Sequence, residues 1–281
     1  MDDYKKVFIT KASGDIEMFD VSKLKHSLER SGAREQVIQK IINEVNSILY
    51  DGITSKEIYK KAFGLLRNSS RPTAARYKLK KAIMELGPTG FPFEKFVGAI
   101  LSHQGFIAQV GLTVKGHCVN HEVDVIAEKD TKHFMVECKF HSDQGRFCNV
   151  KIPLYIHSRF LDVEKQWQKN PSHETKFHQG WVFTNTRFTT DAIQYGVCAG
   201  LGLVGWNYPK KDNLKELIDA FGLHPITSLT TLTSLEKQAL LEKDHVLCMD
   251  LCNYPDLLGE IGISQIRQKK ILQEAHELCN K

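Results

Sequence analysis

The chain contains no apolar run that approaches the roughly 20 residues needed for a transmembrane helix. Its first residues, Met-Asp-Asp-Tyr-Lys-Lys, include no apolar segment of the kind found in signal peptides. Seven cysteines are scattered over 281 residues without a Cys-x-x-Cys pair, which argues against a zinc ribbon and a disulfide framework. These absences favour a cytoplasmic protein with no membrane partner.

A broad surplus of positive charge is also missing. Residues 1–89 hold 17 Lys and Arg against 11 Asp and Glu, whereas the rest of the chain holds 21 against 22. A protein that coats nucleic acid usually carries a wider basic excess. The local excess near the N-terminus instead favours an anionic small ligand in that part of the chain.

Two carboxylates and a lysine lie in a predicted hairpin near the middle of the chain. Residues 118–127 and 133–140 predict two strands joined by a short turn. Because side chains alternate along a strand, Glu137 and Lys139 share one face, and the neighbouring strand brings Asp124 beside them. Carboxylate oxygens suit Mg²⁺, and a lysine beside the ion offsets charge that develops on a phosphate. The pattern predicts a phosphodiester hydrolysis site, although a Glu-x-Lys pair is also common on solvated strand faces.

A predicted helix over residues 93–101 precedes the hairpin and carries Glu94. Glu94, the Val123-Asp124 pair and the Glu137-x-Lys139 motif together resemble the PD-(D/E)xK nuclease superfamily, in the restriction-endonuclease-like branch that contains Mrr. The later segments 180–194 and 202–206 are similar to the last strand, helix and strand of that branch.

The resemblance implies a role for each residue of the motif. Asp124 and Glu137 would be metal ligands together with the backbone carbonyl of Cys138, Lys139 would be the catalytic lysine, and Glu94 an auxiliary acid. It also implies Mg²⁺ or Mn²⁺ as cofactor and DNA as substrate. The chain has Val-Asp where the superfamily usually has Pro-Asp, and this change keeps the carboxylate.

The first 89 residues predict a hairpin followed by four helices. The predicted elements are a strand from Val7, a strand at 16–19, a helix at 21–30 capped by Asp20, helices at 35–49 and 55–66, the latter capped by Thr54, and a helix from Pro72 to about residue 86. Gly87-Pro88-Thr89-Gly90 then marks a boundary.

This architecture and several of its residues resemble the ATP-cone, a domain that binds ATP or dATP. The matching segments are Lys11–Gly14, Glu17–Asp20, Lys23-Leu24, Thr54-Ser55 and Ala75–Lys78. The resemblance implies nucleotide contacts from Lys11, Glu17, Lys23 and Thr54. Ala12 stands where the family usually has arginine, which removes one phosphate-facing cation. A structural or dimerising domain is the alternative.

Two further regions have weaker signals. Lys151, His157, Arg159 and Arg187 are candidate phosphate contacts, although an ordinary amphipathic helix face is favoured for the first three. The helical tail contains a segment at 262–270 that weakly resembles helix-hairpin-helix modules, and a plain helical docking or dimer domain is an equal alternative.

The sequence therefore predicts an α/β protein with three domains. These are an ATP-cone at residues 1–89, a mixed-sheet PD-(D/E)xK nuclease core at 90–210 and a small all-helical domain at 211–281. The predicted function is metal-dependent DNA cleavage regulated by ATP or dATP. The alternatives are a catalytically inactive nucleotide-sensing DNA-binding regulator and a structure-specific nuclease acting on branched or damaged DNA. A homodimer is one expected assembly, because nucleases that cut both strands often work as dimers.

Overall fold

The computed structural model describes residues 5–173 and 176–279. Its contacts divide the chain into two units, of which the first comprises residues 1–83 and 224–281 and the second residues 84–223. The protein is mixed α/β, with a mixed central sheet and a helical C-terminal region. Within the described ranges, no helix combines the length and apolar character needed to cross a membrane.

The first unit begins with the predicted hairpin and helices. Its elements are β1 (Phe8–Thr10), β2 (Ile16–Met18), α1 (Val21–Arg30), α2 (Glu35–Ile48), α3 (Ser55–Ser69), α4 (Arg71–Tyr77) and α5 (Leu79–Met84). The Asp20 carboxylate accepts the Ser22 N–H and caps α1, as predicted. Thr54 and Glu57 form a capping box at the start of α3, which fixes the beginning of that helix.

The fourth predicted helix differs from the structure. Instead of one helix from Pro72 to residue 86, α4 and α5 are separated by a turn at Lys78. The buried Lys78 side chain donates from Nζ to the carbonyl of Thr227 at 2.9 Å. The turn therefore lies at Lys78, whose charged side chain is buried in the interior of the unit.

The second unit is built around a five-stranded sheet. Its elements are α6 (Phe91–His103), β3 (Ile107–Lys115), β4 (Asn120–Lys129), β5 (Lys132–Lys139), β6 (Phe147–Cys148), α7 (Lys151–Trp167), β7 (Phe177–Thr184), β8 (Arg187–Phe188), α8 (Thr190–Cys198), β9 (Gly202–Val204) and α9 (Leu214–Phe221). The strand order is β3-β4-β5-β7-β9, with antiparallel pairing from β3 to β5 and parallel pairing from β5 to β9. Strands β6 and β8 form a separate parallel pair.

Two helices cover this sheet and contribute to its core. Gly98 of α6 packs so closely on β3 that a Cβ there would lie 2.7 Å from a methyl group of Val110. Phe160 and Val163 of α7 join a buried cluster with Met135 of β5. Burial of this apolar surface fixes α6 and α7 against the sheet.

The hairpin turn and strand β3 of this unit differ from the sequence prediction. The hairpin is present, but its turn is tighter than predicted because β4 extends to Lys129 and β5 starts at Lys132, with Asp130 in the left-handed region at φ 51°. Strand β3 was not predicted. Helix α7 runs unbroken from Lys151, because Pro153 lies in its first turn, where proline is tolerated.

The C-terminal segment completes the first unit. Its helices are α10 (Ser234–Glu242), α11 (Cys248–Asn253), α12 (Leu257–Glu260) and α13 (Gln265–Cys279), preceded by a 3₁₀ turn at Ile226–Ser228. Their apolar residues share a buried cluster with Ala75 of α4. Arg76 also donates to the carbonyl of Glu277 at 2.7 Å. Residues 224–279 thus pack with the N-terminal helices, while α9 lies in the second unit; the three-domain division of the sequence stays a prediction.

Candidate functional site

The two motif carboxylates lie where β4 and β5 separate. The antiparallel ladder between these strands ends at the pair Val125 and Val136. The next residue on each strand is Asp124 or Glu137, so the fold brings both acids to the same point. The Cys138 N–H donates to Asp124 Oδ2 at 2.6 Å, in place of a ladder hydrogen bond. Asp124 is thereby held across the end of β5.

Glu94 belongs to the same electrostatic environment. It lies in the first turn of α6 and is the fourth residue after the capping position Gly90. Burial, together with the charges of Asp124, Glu137 and Glu122, raises the pKa of Glu94 to about 7. The three acids expected from the sequence are therefore close enough to disfavour one another's ionisation.

The two strand carboxylates show the same effect. Burial and the charge of Asp124 raise the pKa of Glu137 to about 7. Burial also raises the pKa of Asp124, although the Cys138 N–H and the cations of Arg159 and Lys139 oppose this. A bound cation relieves the repulsion between buried carboxylates of this kind.

Arg159 of α7 is a member of this cluster. Its Nη1 lies 2.7 Å from Glu137 Oε2, and its Nη2 donates to the backbone carbonyl of Glu122. The Arg159 and Glu137 side chains are 12% and 19% exposed, so the ion pair is largely shielded from solvent. The sequence offered Arg159 only as a phosphate contact, and no local pattern indicates its pairing with a residue 22 positions earlier.

Lys139 completes the group at the carboxyl end of β5. Its charge lies close enough to lower the pKa of both Asp124 and Glu137. Its backbone carbonyl accepts a hydrogen bond from Thr184 Oγ1 at 2.8 Å, which ties the end of β5 to β7. The candidate acid cluster, defined as Glu94, Glu122, Asp124, Glu137, Lys139 and Arg159, therefore combines residues of α6, β4, β5 and α7.

The other candidate phosphate contacts lie elsewhere. Lys151 starts α7 and is exposed. His157 Nδ1 hydrogen-bonds with the hydroxyl of Tyr195 at 2.8 Å. The Arg187 guanidinium lies over the ring of Phe147, 4.3 Å from its centroid. Of the four candidate phosphate contacts selected from the sequence, the structure brings only Arg159 into the acid cluster.

Three of the four predicted nucleotide contacts form one ion-paired group in the first unit. Lys11 and Lys23 lie 2.8 Å and 3.2 Å from Glu17 Oε1, and their hydrogen bonds lower the pKa of Glu17. Thr54 forms a β-bridge with Thr10, next to Lys11 in the chain. Its hydroxyl, however, is used in the capping box at the start of α3. The two lysines thus lie side by side, whereas Thr54 has a structural role.

Comparison with known proteins identifies relatives that cover about two thirds of the chain. Residues 224–279 match the model of the AF1548-like C-terminal domain. An uncharacterized protein from Archaeoglobus fulgidus is 36% identical over 183 residues, which is 64% of this chain and 97% of the relative. The crystal structure of AF1548, a protein of unknown function, superimposes with a TM-score of 0.56 at 34% identity and covers 68% of this chain and 98% of its own. Since nearly all of the relative aligns at this identity, the chain belongs to the AF1548-like family.

Proposed function

We propose that the protein is a metal-dependent DNA endonuclease whose active site is the acid cluster. The observation that carries this proposal is the meeting of Glu94, Asp124, Glu137 and Lys139 at the carboxyl end of β5. These residues come from the hairpin of β4 and β5 and from the separate helix α6, which argues against a chance Glu-x-Lys pair on a solvated strand. The raised pKa values of the three acids support a site that is incomplete without a cation.

The donor set fits Mg²⁺ or Mn²⁺. Four carboxylates in the cluster face one lysine and one arginine, so formal negative charge is in excess. Hard oxygen donors and excess negative charge are what these cations require. Asp124, Glu137 and the backbone carbonyl of Cys138 would hold the ion. When bound, the cation supplies Lewis-acid activation of the scissile phosphate.

The residues of the chain have separable roles in this reaction. The Lys139 ammonium offsets the charge that develops on the phosphate as the new bond forms. The Glu94 carboxylate orients the attacking water by accepting a hydrogen bond from it. Arg159 positions Glu137 through the 2.7 Å ion pair to Oε2, which leaves Oε1 for the cation.

The proposal is tested by cleavage of supercoiled plasmid with Mg²⁺ or Mn²⁺. Asp124→Ala and Lys139→Ala should abolish cutting, because each removes a group that acts on the reacting phosphate or its cation. Lys132→Ala is the matched control, since it removes a lysine from the other end of the same strand and should cut like the parent protein. Undiminished cutting by Lys139→Ala would exclude this site. Linear, branched and damaged substrates, each also tested as RNA, would define the class of nucleic acid that is cut.

For the first unit, we infer regulation by ATP or dATP. The support is the placement of Lys11 and Lys23 around Glu17, where a triphosphate could replace the carboxylate as their partner. Titration with ATP and dATP should saturate, and Lys23→Ala should weaken binding whereas Lys40→Ala, on the exposed face of α2, should not. The absence of any saturable signal would remove the regulatory role.

A DNA-binding regulator without activity is the second candidate. It is favoured by the fact that Glu137 already pairs with Arg159 and Asp124 already accepts a backbone N–H. DNA that is shifted on a gel but uncut under every metal and nucleotide condition would support this candidate over the nuclease.

A further inference from the structure

Three histidines meet at the opposite end of the sheet from the acid cluster. His133 and His178 are each the second residue of a strand, β5 and β7, and they are direct partners in the parallel register. His173 ends the 3₁₀ turn that follows α7. On β5, His133 lies four residues before Glu137 and six before Lys139, which separates it from these members of the acid cluster by about 13–20 Å along the strand.

Their ring nitrogens converge. One nitrogen from each ring can be chosen so that all three lie within 4.8 Å of one another. The ring centroid of His133 lies 4.8 Å from the ring centroid of His173 and 5.3 Å from that of His178. Trp167, at the end of α7, stacks on His133 with centroids 4.0 Å apart. An aromatic wall thus covers one side of the group.

Within the described residues, these rings lack the hydrogen bonds that buried imidazoles normally make. His133 is 6% exposed, and its Nδ1 has no hydrogen-bond partner; the same holds for Nδ1 of His173. Neither ring nitrogen of His178 makes a hydrogen bond of normal geometry. The backbone of His173 lies near this ring and raises the pKa of His178, which opposes the larger effect of burial. Buried polar atoms are usually satisfied, so unpartnered nitrogens on three rings that approach one another favour a ligand between the rings.

The protonation state suits metal binding. Burial, followed by the neighbouring histidines, lowers the pKa of His133 to about 4. Burial also lowers the pKa of His173 and His178. Burial thus favours the uncharged ring, which is the form in which imidazole binds a metal.

We propose that His133, His173 and His178 form a site for a divalent transition metal, with Zn²⁺ as the preferred ion. Three imidazoles are a common zinc ligand set, and Zn–N distances of about 2.0–2.1 Å place ligand nitrogens roughly 3.3 Å apart in a tetrahedral site. The rings would close by about an ångström on binding. The carboxylate of Glu128 lies near His133 and His173 and supplies compensating negative charge, although it is ion-paired with Lys176. The metal would fasten β5, β7 and the connection from α7 to one another.

The test is metal binding by the full chain without an affinity tag. After exposure to Zn²⁺ and removal of the free ion, the protein should retain about one zinc ion per chain. Elemental mass spectrometry measures this zinc content. Titration with Co²⁺ should give the visible absorption of a tetrahedral site. His173→Asn and His178→Asn should each weaken binding at least tenfold.

Two matched variants separate this site from other sources of binding. His103→Asn removes a histidine on α6, outside the group, and should bind Co²⁺ and Zn²⁺ as the parent protein does. Asp124→Asn disables the acid cluster and so distinguishes metal held there from metal held by the histidines. Circular dichroism would establish that the His173 and His178 variants are folded, and His173 is the safer of the two because it lies in a half-exposed turn. Zinc retained equally by both folded histidine variants, or no zinc retained by the parent, would overturn the proposal. Loss of binding in Asp124→Asn alone would assign the metal to the acid cluster.

Discussion

The carboxylate of Glu274 should be a principal source of stability in the first unit. It lies on α13 with 3% exposure. Its Oε1 accepts from the backbone N–H and hydroxyl of Thr230 at 2.9 Å and 2.7 Å, and its Oε2 accepts from the same groups of Thr231 at 3.0 Å and 2.6 Å. One carboxylate thus satisfies four donors in the loop before α10.

Glu274→Ala removes both acceptor oxygens at once. Two backbone N–H groups then lose their partners at a cost of about 1–3 kcal/mol each, while the threonine hydroxyls can turn to other acceptors. We therefore expect the free energy of unfolding to fall by about 4 kcal/mol. Glu274→Gln keeps one acceptor oxygen and should lose roughly half as much.

Urea unfolding measures this loss. All three tryptophans, Trp167, Trp181 and Trp206, lie in the second unit, so their fluorescence follows that unit while far-UV circular dichroism follows both. The transition seen by circular dichroism should begin at lower urea in Glu274→Ala. Glu277→Gln, an exposed change three residues along α13, is the control and should alter stability by less than about 0.5 kcal/mol. A circular dichroism curve of Glu274→Ala that coincides with this control would refute the reasoning.

Arg159→Met should lower the plasmid-cutting rate at saturating Mg²⁺ by about 10- to 100-fold, because it frees the carboxylate that the guanidinium positions; an unchanged rate would contradict that role. Burial lowers the pKa of His224 to about 4 from 6.5, so the unfolded chain binds the extra proton first as the pH falls. Stability is therefore complete above pH 6.5 and declines toward pH 4 by on the order of 3 kcal/mol, and urea midpoints for His224→Asn should show a flatter pH dependence. Gly98→Ala should destabilise the second unit by about 1–3 kcal/mol in a fluorescence-detected urea titration, since the new methyl meets Val110. Gly64→Ala, in open space on α3 of the first unit, should instead be neutral or stabilising by up to about 1 kcal/mol when unfolding is followed by far-UV circular dichroism, and similar losses in both variants would argue against the close contact.

Local signals in the sequence were sufficient for much of the fold. The bounds of α1 follow from Asp20 and the apolar spacing after it, and the start of α3 follows from the Thr54 capping box. Both depend on residues within one helical turn, where capping chemistry decides the outcome. Strand β3 also carries a local signal, alternation of half-buried and exposed side chains from Ile107 to Lys115, but one face of this edge strand is solvated and its pattern is weak.

The parts of the sites that could not be predicted depend on long-range geometry. Glu137 and Lys139 share a strand face by periodicity alone, whereas the approach of Arg159 requires the packing of α7 on the sheet. The pairing of His133 with His178 depends on the parallel register of β5 and β7, which are joined by a helical crossover. A shift of that register by one residue would send one ring to the other face, and no short motif specifies it.

The first unit is formed by two segments that are far apart in the sequence, and this affects the order of folding during synthesis. Helix α4 contacts residues far along the sequence, since Arg76 bonds to Glu277 and Lys78 to Thr227, 201 and 149 positions away. At typical rates of synthesis, about 5–20 residues per second, the intervening 140 residues of the second unit take roughly 7–28 s to emerge from the ribosome. During that interval the N-terminal helices have no C-terminal partner, while the sheet can already close. The second unit should therefore fold first on the ribosome, and a prematurely terminated chain should leave the N-terminal helices exposed to chaperones and proteases.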